Sequence, residues 1–326
     1  MSRWALGIDF GGTAIKAAVI SEGQGLVEDC RVPTNSSAGP EAIFSQLAEL
    51  IGAMYHKGCA TCDAANFAGV GLGAPGVVDV ERGVLKYPPN LHGWGLVPLR
   101  EELQQRLQQE HGLQVQIHLD NDANVAAFGE SRYGAGQPFP NFLMVTLGTG
   151  VGGGIVLNRS IYRGSYGTAG EVGFMIVDVD SPHTHAGIHG TLEGMLGKKS
   201  IVAMACSMMH NAATTSTMGN YCNNDFSRLS PRHIEYAARE GDAVALAVWE
   251  RVGHLLGSAL ASVTALMDIR KFVIGGGISG AGSLIFEPAR QQLLHSTHPS
   301  MHEGLELVPA FLGNKAGMYG AASLCF

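Results

Sequence analysis

Two segments of this chain share one form. ALGIDFGGTAIKAAVI, residues 5–20, is an apolar run, a small polar turn and a second apolar run. FLMVTLGTGVGGGIVL, residues 142–157, repeats it. Each predicts two strands joined by a glycine-rich turn. Strand and helix patterns alternate after both copies. The echo therefore predicts two related α/β lobes facing a cleft, with a single doubly wound domain as the alternative.

The first half reads as follows. LVEDCRV can add a third strand. GPEAIFSQLAELIGAMYHKG predicts a helix, with Pro40 in its first turn, Ile43, Leu47, Leu50 and Met54 on one face, and Gly58 as its stop. GVGLGAPGVVD returns to strand and ends in a Gly/Pro turn, and VPLREELQQRLQQEHG is helical with Leu99, Leu103 and Leu107 four apart. LQVQIHL then leads into DNDANVAAFGESRYG. In the second half, DAVALAVWERVGHLLGSALASVTALMDIR is a long helix, and KFVIGGGISGAG is a strand meeting a glycine turn before another helix. Met208 to Pro231 is polar and irregular, and reads as a surface excursion.

The length of 326 residues leaves room for two domains, and 46% hydrophobic residues support a substantial core. A formal charge of −7 argues against a nucleic-acid surface. The 45 glycines exceed the roughly 23 of average composition, and they cluster after apolar runs, as turns against a ligand do. Six cysteines are scattered, and CATC is a lone CxxC without a partner pair, so structural or incidental thiols are expected rather than metal or redox work. No basic region precedes a signal-length apolar run. Val252 to Met267 is too short for a membrane span and contains His254, so a buried helix is expected there. The expected setting is the cytoplasm, away from membranes.

Glycine turns offer backbone N–H groups to phosphate without side chains in the way. Gly11 and Gly12 lead into Thr13 and Lys16; Gly148 and Gly150 flank Thr149; Gly275, Gly276 and Gly277 follow an apolar strand. No GxxxxGK[ST] is present, and the GxGxxG within GVGLGAPG begins inside a strand, so it is weak evidence. Asp9 either brackets its turn or holds Mg²⁺ through water beside a transferred phosphoryl group. Asp120 ends an apolar strand and Asp122 stands where a helix begins. Asp122 is either a helix cap or a general base taking a proton from a substrate hydroxyl.

Taken together, DFGGTAIK, GAPGVVD, PPNLHGW, DNDANVAAFGE, TLGTGVGGGIVLNRSIYRGSYGTAGEVG, IGGGISGAG and FLGNKAGMYGAA resemble, in order, the segments of the ROK family of sugar kinases and related repressors, glucokinase-like in particular. The likeness runs along nearly the whole chain. It implies an actin-like, ribonuclease H-like α/β fold of two lobes around a cleft. Residues 1–119 would form one lobe, completed by a helix at 311–326, and 120–310 the larger lobe. It implies ATP and Mg²⁺ at Asp9, Gly11, Gly12, Thr13, Lys16, Gly148, Thr149, Gly150 and Gly275–Gly277. Asp122 would be the catalytic base, with Asn90, Asn121, Glu171 and Glu193 also on the sugar. A homodimer is implied as well.

The same resemblance implies a structural zinc held by one His and three Cys. This chain has Phe174 at the His position and Thr184, Ala186 and Thr191 at the Cys positions, so no structural zinc is expected. His183, His185 and His189 lie nearby, but their spacing does not rebuild the lost set. The expected reaction is ATP-dependent phosphorylation of a hexose, glucose first, with N-acetylmannosamine, N-acetylglucosamine, mannose and fructose as alternatives, and polyphosphate as an alternative donor. A non-catalytic sugar-binding protein, a sugar-responsive repressor and an ATPase without a sugar acceptor are the rival classes. The repressor is disfavoured because only eight residues precede Asp9.

Overall fold

The computed structural model describes residues 2–88, 91, 94–212 and 215–326. The chain forms two compact units. The first comprises Met1–Pro140, Gly154–Gly170 and Phe311–Phe326, and the second Asn141–Gly153 and Glu171–Ala310. The first thus carries 120–140 and 154–170 besides 1–119 and 311–326.

The elements in order are β1 (Trp4–Phe10), β2 (Ala14–Ser21), β3 (Gly25–Pro33), α1 (Gly39–Thr61), β4 (Phe67–Ala74), β5 (Val77–Asp79), β6 (Val84–Lys86), β7 (Leu96–Val97), α2 (Leu99–His111), β8 (Ile117–Asn121) and α3 (Asp122–Tyr133). There follow β9 (Phe142–Leu147), β10 (Val151–Leu157), β11 (Ser160–Tyr162), β12 (Thr184–His185), β13 (Ile188–His189), α4 (Leu192–Leu196), α5 (Lys198–Asn211), α6 (Pro231–Arg239) and α7 (Ala243–Met267). Last are β14 (Lys271–Gly275), α8 (Ser283–His295), β15 (Glu306–Pro309) and α9 (Ala316–Ser323).

The echo in the sequence is an echo in topology. The first sheet has order β3-β2-β1-β4-β8, and the second β11-β10-β9-β14-β15, with the division between units falling inside β10. In the first sheet β1, β2 and β3 are antiparallel, while β4 and β8 run parallel to β1. In the second, β14 runs parallel to both β9 and β15. The fold is α/β of the actin-like, hexokinase-like kind.

Strand β1 shows how the first unit is layered. Trp4, Leu6, Ile8 and Phe10 are fully buried in a core shared with Ile43, Leu47 and Met54 of α1 and Leu99, Leu103 and Leu107 of α2. Strand side chains alternate, so Ala5 and Gly7 face the other way, toward α9. That side is made of small residues because the helix backbone lies directly on it. A Cβ on Gly7 would strike the Met318 carbonyl oxygen, and one on Gly71 the Ala321 carbonyl oxygen. Many glycines of the excess therefore admit a helix rather than a ligand, a correction to the expectation from composition. Gly129 of α3 and Gly320 of α9 do the same for each other's helices: an added Cβ would meet the Ala316 and Val125 carbonyl oxygens respectively. Gly320→Ala should cost about 1–3 kcal/mol by overpacking, read as a fall in the urea midpoint; an unchanged midpoint would contradict this packing.

Two local expectations are corrected. Gly58 does not stop α1, which runs on to Thr61; it is buried, and a Cβ there would collide with the Trp4 ring. The 208–231 region is more than a surface excursion. Within it Met218 and Cys222 are buried, and just before the Thr217–Cys222 turn Ser216 Oγ donates to Asp242 Oδ2 at 2.9 Å. Val252–Met267 lies within α7, which is largely buried. Among the described residues no helix is long and apolar enough to cross a membrane.

Candidate active site

In the first unit the parallel strands deliver their acids to one edge. Asp9 stands opposite Gly73, Gly73 opposite Asp120, and Ala74 opposite Asn121. The carboxyl edge of a parallel sheet is where open α/β folds bind ligands. Asp9 Oδ2 accepts a hydrogen bond from Lys16 Nζ at 2.7 Å. The two residues are cross-strand neighbours on β1 and β2. Lys16 is thereby placed beside the carboxylate. Gly317 in the first turn of α9 leaves room for it, since a Cβ there would sit 2.8 Å from Asp9 Cγ.

The turn between β1 and β2 is tied down from outside. Gly11 N donates to Ala14 O at 3.1 Å, Thr34 Oγ1 donates to Gly11 O at 2.6 Å, and Thr34 N donates to Thr13 O at 3.0 Å. Gly12 is half-buried and Thr13 is exposed.

The passage from β8 into α3 assigns different tasks to three consecutive polar residues. Asn121 is the helix cap: its Oδ1 accepts from Ala123 N at 2.8 Å and Asn124 N at 3.1 Å. Its Nδ2 donates to Gly76 O at 2.9 Å. An amide nitrogen carries two hydrogens, so one remains beyond the Gly76 bond for a ligand. Asp122, the alternative cap in the sequence reading, is instead the first residue of α3, half-buried, with Oδ1 accepting from Ala123 N at 2.8 Å. Asp120 is 1% exposed. Its Oδ1 accepts from Asn121 N at 2.8 Å and Asn124 Nδ2 at 2.9 Å, and its Oδ2 from Arg163 Nε at 2.8 Å. Arg163 and Asp120 thus brace the backbone that presents Asp122. The sequence reading missed Arg163; a partner 43 positions away leaves no trace in local spacing. Asn90 lies outside the described residues.

The second unit brings two glycine turns to one edge. Strands β9 and β14 are parallel, with Thr146 opposite Gly275. Gly276 has φ of 86°, and a Cβ there would strike Leu147. Gly148 N donates to Gly150 O at 2.9 Å, closing the 148–150 turn around the exposed Thr149. Around Gly148 and Gly277 a Cβ would meet nothing within 4 Å, so their backbone borders open space.

Glu193 lies in the first turn of α4, next to that first glycine turn. Its Oε2 accepts from Val151 N at 2.9 Å, and its Oε1 lies 3.1 Å from His185 Nδ1. Gly150 is glycine because a Cβ would stand 2.5 Å from Glu193 Oε2. Partial burial of its carboxyl group, and then the negative charge of Glu193, push Glu171 above the ordinary carboxylate value. Glu171 as a residue is exposed, so solvent screens this effect and only its direction is used. Phe174, 41% exposed, has its ring centroid 5.1 Å from that of His185.

A sequence model described as the ROK family matches residues 5–326. The chain belongs to the ROK family. It is 33% identical, over 99% of its length and 94% of the relative's, to a protein called glucokinase from Halalkalibacterium halodurans. Among solved structures, a ROK family glucokinase from Streptomyces griseus, in complex with glucose and AMPPNP, matches with TM-score 0.78 and 31% identity, covering 98% of both chains. A ROK hexokinase from Thermus thermophilus matches with TM-score 0.76 and 28% identity, covering 98% of this chain and 96% of that one.

The positions that the ROK resemblance gives to zinc do not fit the metal. Thr191 caps α4, its Oγ1 accepting from Gly194 N at 3.1 Å, Thr184 lies in β12, and Phe174 and Ala186 have no ligand atom. Among the described residues no three His, Cys, Asp or Glu side chains gather into a metal-holding group. Asp9 offers the hard oxygen that Mg²⁺ accepts, and one carboxylate completed by water and phosphate is a usual magnesium donor set.

Proposed function

We propose that this ROK-family sugar kinase transfers the γ-phosphoryl group of ATP to the 6-hydroxyl of glucose. The observation that carries the reading is Asp122: a half-buried carboxylate at the start of α3, on the carboxyl edge of the first sheet, in a chain akin along its length to proteins called glucokinase.

Asp122 takes the hydroxyl proton as the sugar oxygen attacks phosphorus, while the bond from phosphorus to the ADP oxygen breaks. The Asn121 amide hydrogen left by Gly76, together with Glu171 and Glu193, serves other hydroxyls, as donors and acceptors must. The Gly11 and Gly148 N–H groups close their own turns, so the phosphate oxygens fall to other backbone N–H groups of the Gly11–Thr13, Gly148–Gly150 and Gly275–Gly277 turns, with Thr13, Thr149 and Lys16 beside them. Asp9 would hold Mg²⁺ through water, and the ion would offset phosphate charge. A coupled ADP-release assay across hexoses and N-acetylhexosamines tests the reading. Glucose should give the highest kcat/KM, and no sugar-dependent turnover would refute it. Sugar binding without turnover would mark a sugar-binding regulator instead.

The raised Glu171 makes a pH prediction. A carboxyl whose folded value is raised binds its proton more tightly when folded, so its contribution to stability is fullest below its unfolded value near 4.5 and is lost as pH rises through the folded value. Glu171→Gln should therefore flatten the fall in thermal midpoint over the window just above pH 4.5. In the wild type, hexose KM should drop as pH rises through that window, because the deprotonated carboxylate accepts sugar hydroxyls. A KM profile identical in wild type and variant would remove Glu171 from the site.

A further inference from the structure

The loop where the ROK resemblance expects zinc is built here from hydrogen bonds. Val177 N and Asp178 N both approach Gly190 O, at 2.9 and 3.3 Å, Gly190 N donates to His183 O at 2.9 Å, and Leu192 N donates to Met175 O at 2.8 Å. Inside it β12 and β13 form a two-residue hairpin, with His185 opposite Ile188. Its central residues, Ala186 and Gly187, both have positive φ, 50° and 79°. Tight hairpins of type I′ require this, and an alanine accepts it only when the surroundings hold it there. The hairpin tip is therefore fixed, and it carries His185 to Glu193.

We infer that His185 is a positioning residue for hexose binding: it holds Glu193 in the orientation that receives sugar hydroxyls, a task that other members of the family would leave to a metal-braced loop. The inference rests on the proposed function. Glu193 is fixed from two sides, by Val151 N–H on Oε2 at 2.9 Å and by His185 Nδ1 on Oε1 at 3.1 Å. The contact is a close polar approach of the two groups, and the proton is assigned to Nδ1 because a carboxylate only accepts. Each carboxylate oxygen keeps a second lone pair for a hydroxyl. The Phe174 ring packs against the imidazole at a tilt of 55°, with centroids 5.1 Å apart, limiting its rotation. Without His185, one oxygen of Glu193 loses its anchor and the side chain samples other rotamers, which weakens sugar binding rather than the phosphoryl step.

The test compares His185→Ala, His185→Asn and His185→Gln in the full chain. Asparagine places an amide N–H near the Nδ1 position; glutamine places it farther out, near Nε2. His185→Ala and His185→Gln should raise hexose KM about tenfold, as loss of a close polar contact to a charged group does, with ATP KM unchanged and kcat nearly so. His185→Asn should restore most of the loss. In a Glu193→Gln background, His185→Ala should add little, because its partner's charge is already gone. Equal hexose KM in wild type and His185→Ala would overturn the inference. So would equal losses in the Asn and Gln variants, or a full additional loss in the Glu193→Gln background. If His185→Ala fails to fold, the Asn and Gln pair still decides. Wild-type protein that turns over no hexose would overturn the proposed function itself, a result distinct from any of these.

Discussion

Asp122→Asn is expected to lower hexose-dependent kcat by about 10²–10⁴, the range that general-base assistance supplies. The amide is nearly isosteric, and its oxygen can still accept from Ala123 N, as Asp122 Oδ1 does at 2.8 Å. The cap of α3 is untouched because Asn121 provides it. The thermal midpoint and ATP-analogue binding should therefore stay close to wild type. Hexose KM should change far less than kcat, since the proton moves only as the new bond forms. Rate measurements in substrate excess, paired with calorimetric binding of nucleotide and sugar, read the two effects separately. Near-normal turnover would remove Asp122 from its role and the proposed chemistry with it.

Arg163→Met is expected to destabilise the first unit by about 3 kcal/mol, because breaking an ion pair leaves a buried charge without its partner. Asp120 is 1% exposed and holds four donor groups around itself, two of them on Arg163. The side chain of Arg163 is 35% exposed, so water relieves part of the penalty and keeps it from rising above that value. The variant should also lose kcat, because Asp120 Oδ1 holds the Asn121 N–H that precedes Asp122. Arg163→Lys keeps the charge but not the fork that reaches Asp120 through Nε and a terminal nitrogen, so it should fall between the two. Urea unfolding and turnover, measured on all three proteins, check both halves. An unchanged urea midpoint in Arg163→Met would show that the pair contributes nothing to the fold.

What could be read in advance divides by distance along the chain. The fourfold spacing of Leu99, Leu103 and Leu107 predicts a helix face, and those side chains are fully buried. The two strand–turn–strand echoes predict paired lobes, and the two sheets repeat one strand order. These features follow from periodicity within a few residues. Gly58 reads as a stop because a glycine near a helix end looks like one, while the Trp4 ring that requires it comes from a distant strand. Asn121 illustrates the same limit within the site: a side chain that can touch a sugar can also cap a helix, and only the three-dimensional path through Gly76 shows how much of it is committed. His185 was legible as a metal candidate, because three histidines in seven residues invite that reading. Its approach to Glu193 depends on a hairpin with two positive φ values, which no spacing rule reveals.

The bare strip of Gly7 and Gly71 has a consequence for how the molecule is made. Its cover, the carbonyls of Met318 and Ala321, is translated some three hundred positions after Gly7. Emerging from the ribosome, the early sheet must wait with one side uncovered while the intervening unit is synthesised. Long-range closures of this kind slow folding and leave sticky intermediates. Completion of the first unit is thus a late event, and a chain released before its last few dozen residues would carry a sheet with one face bare.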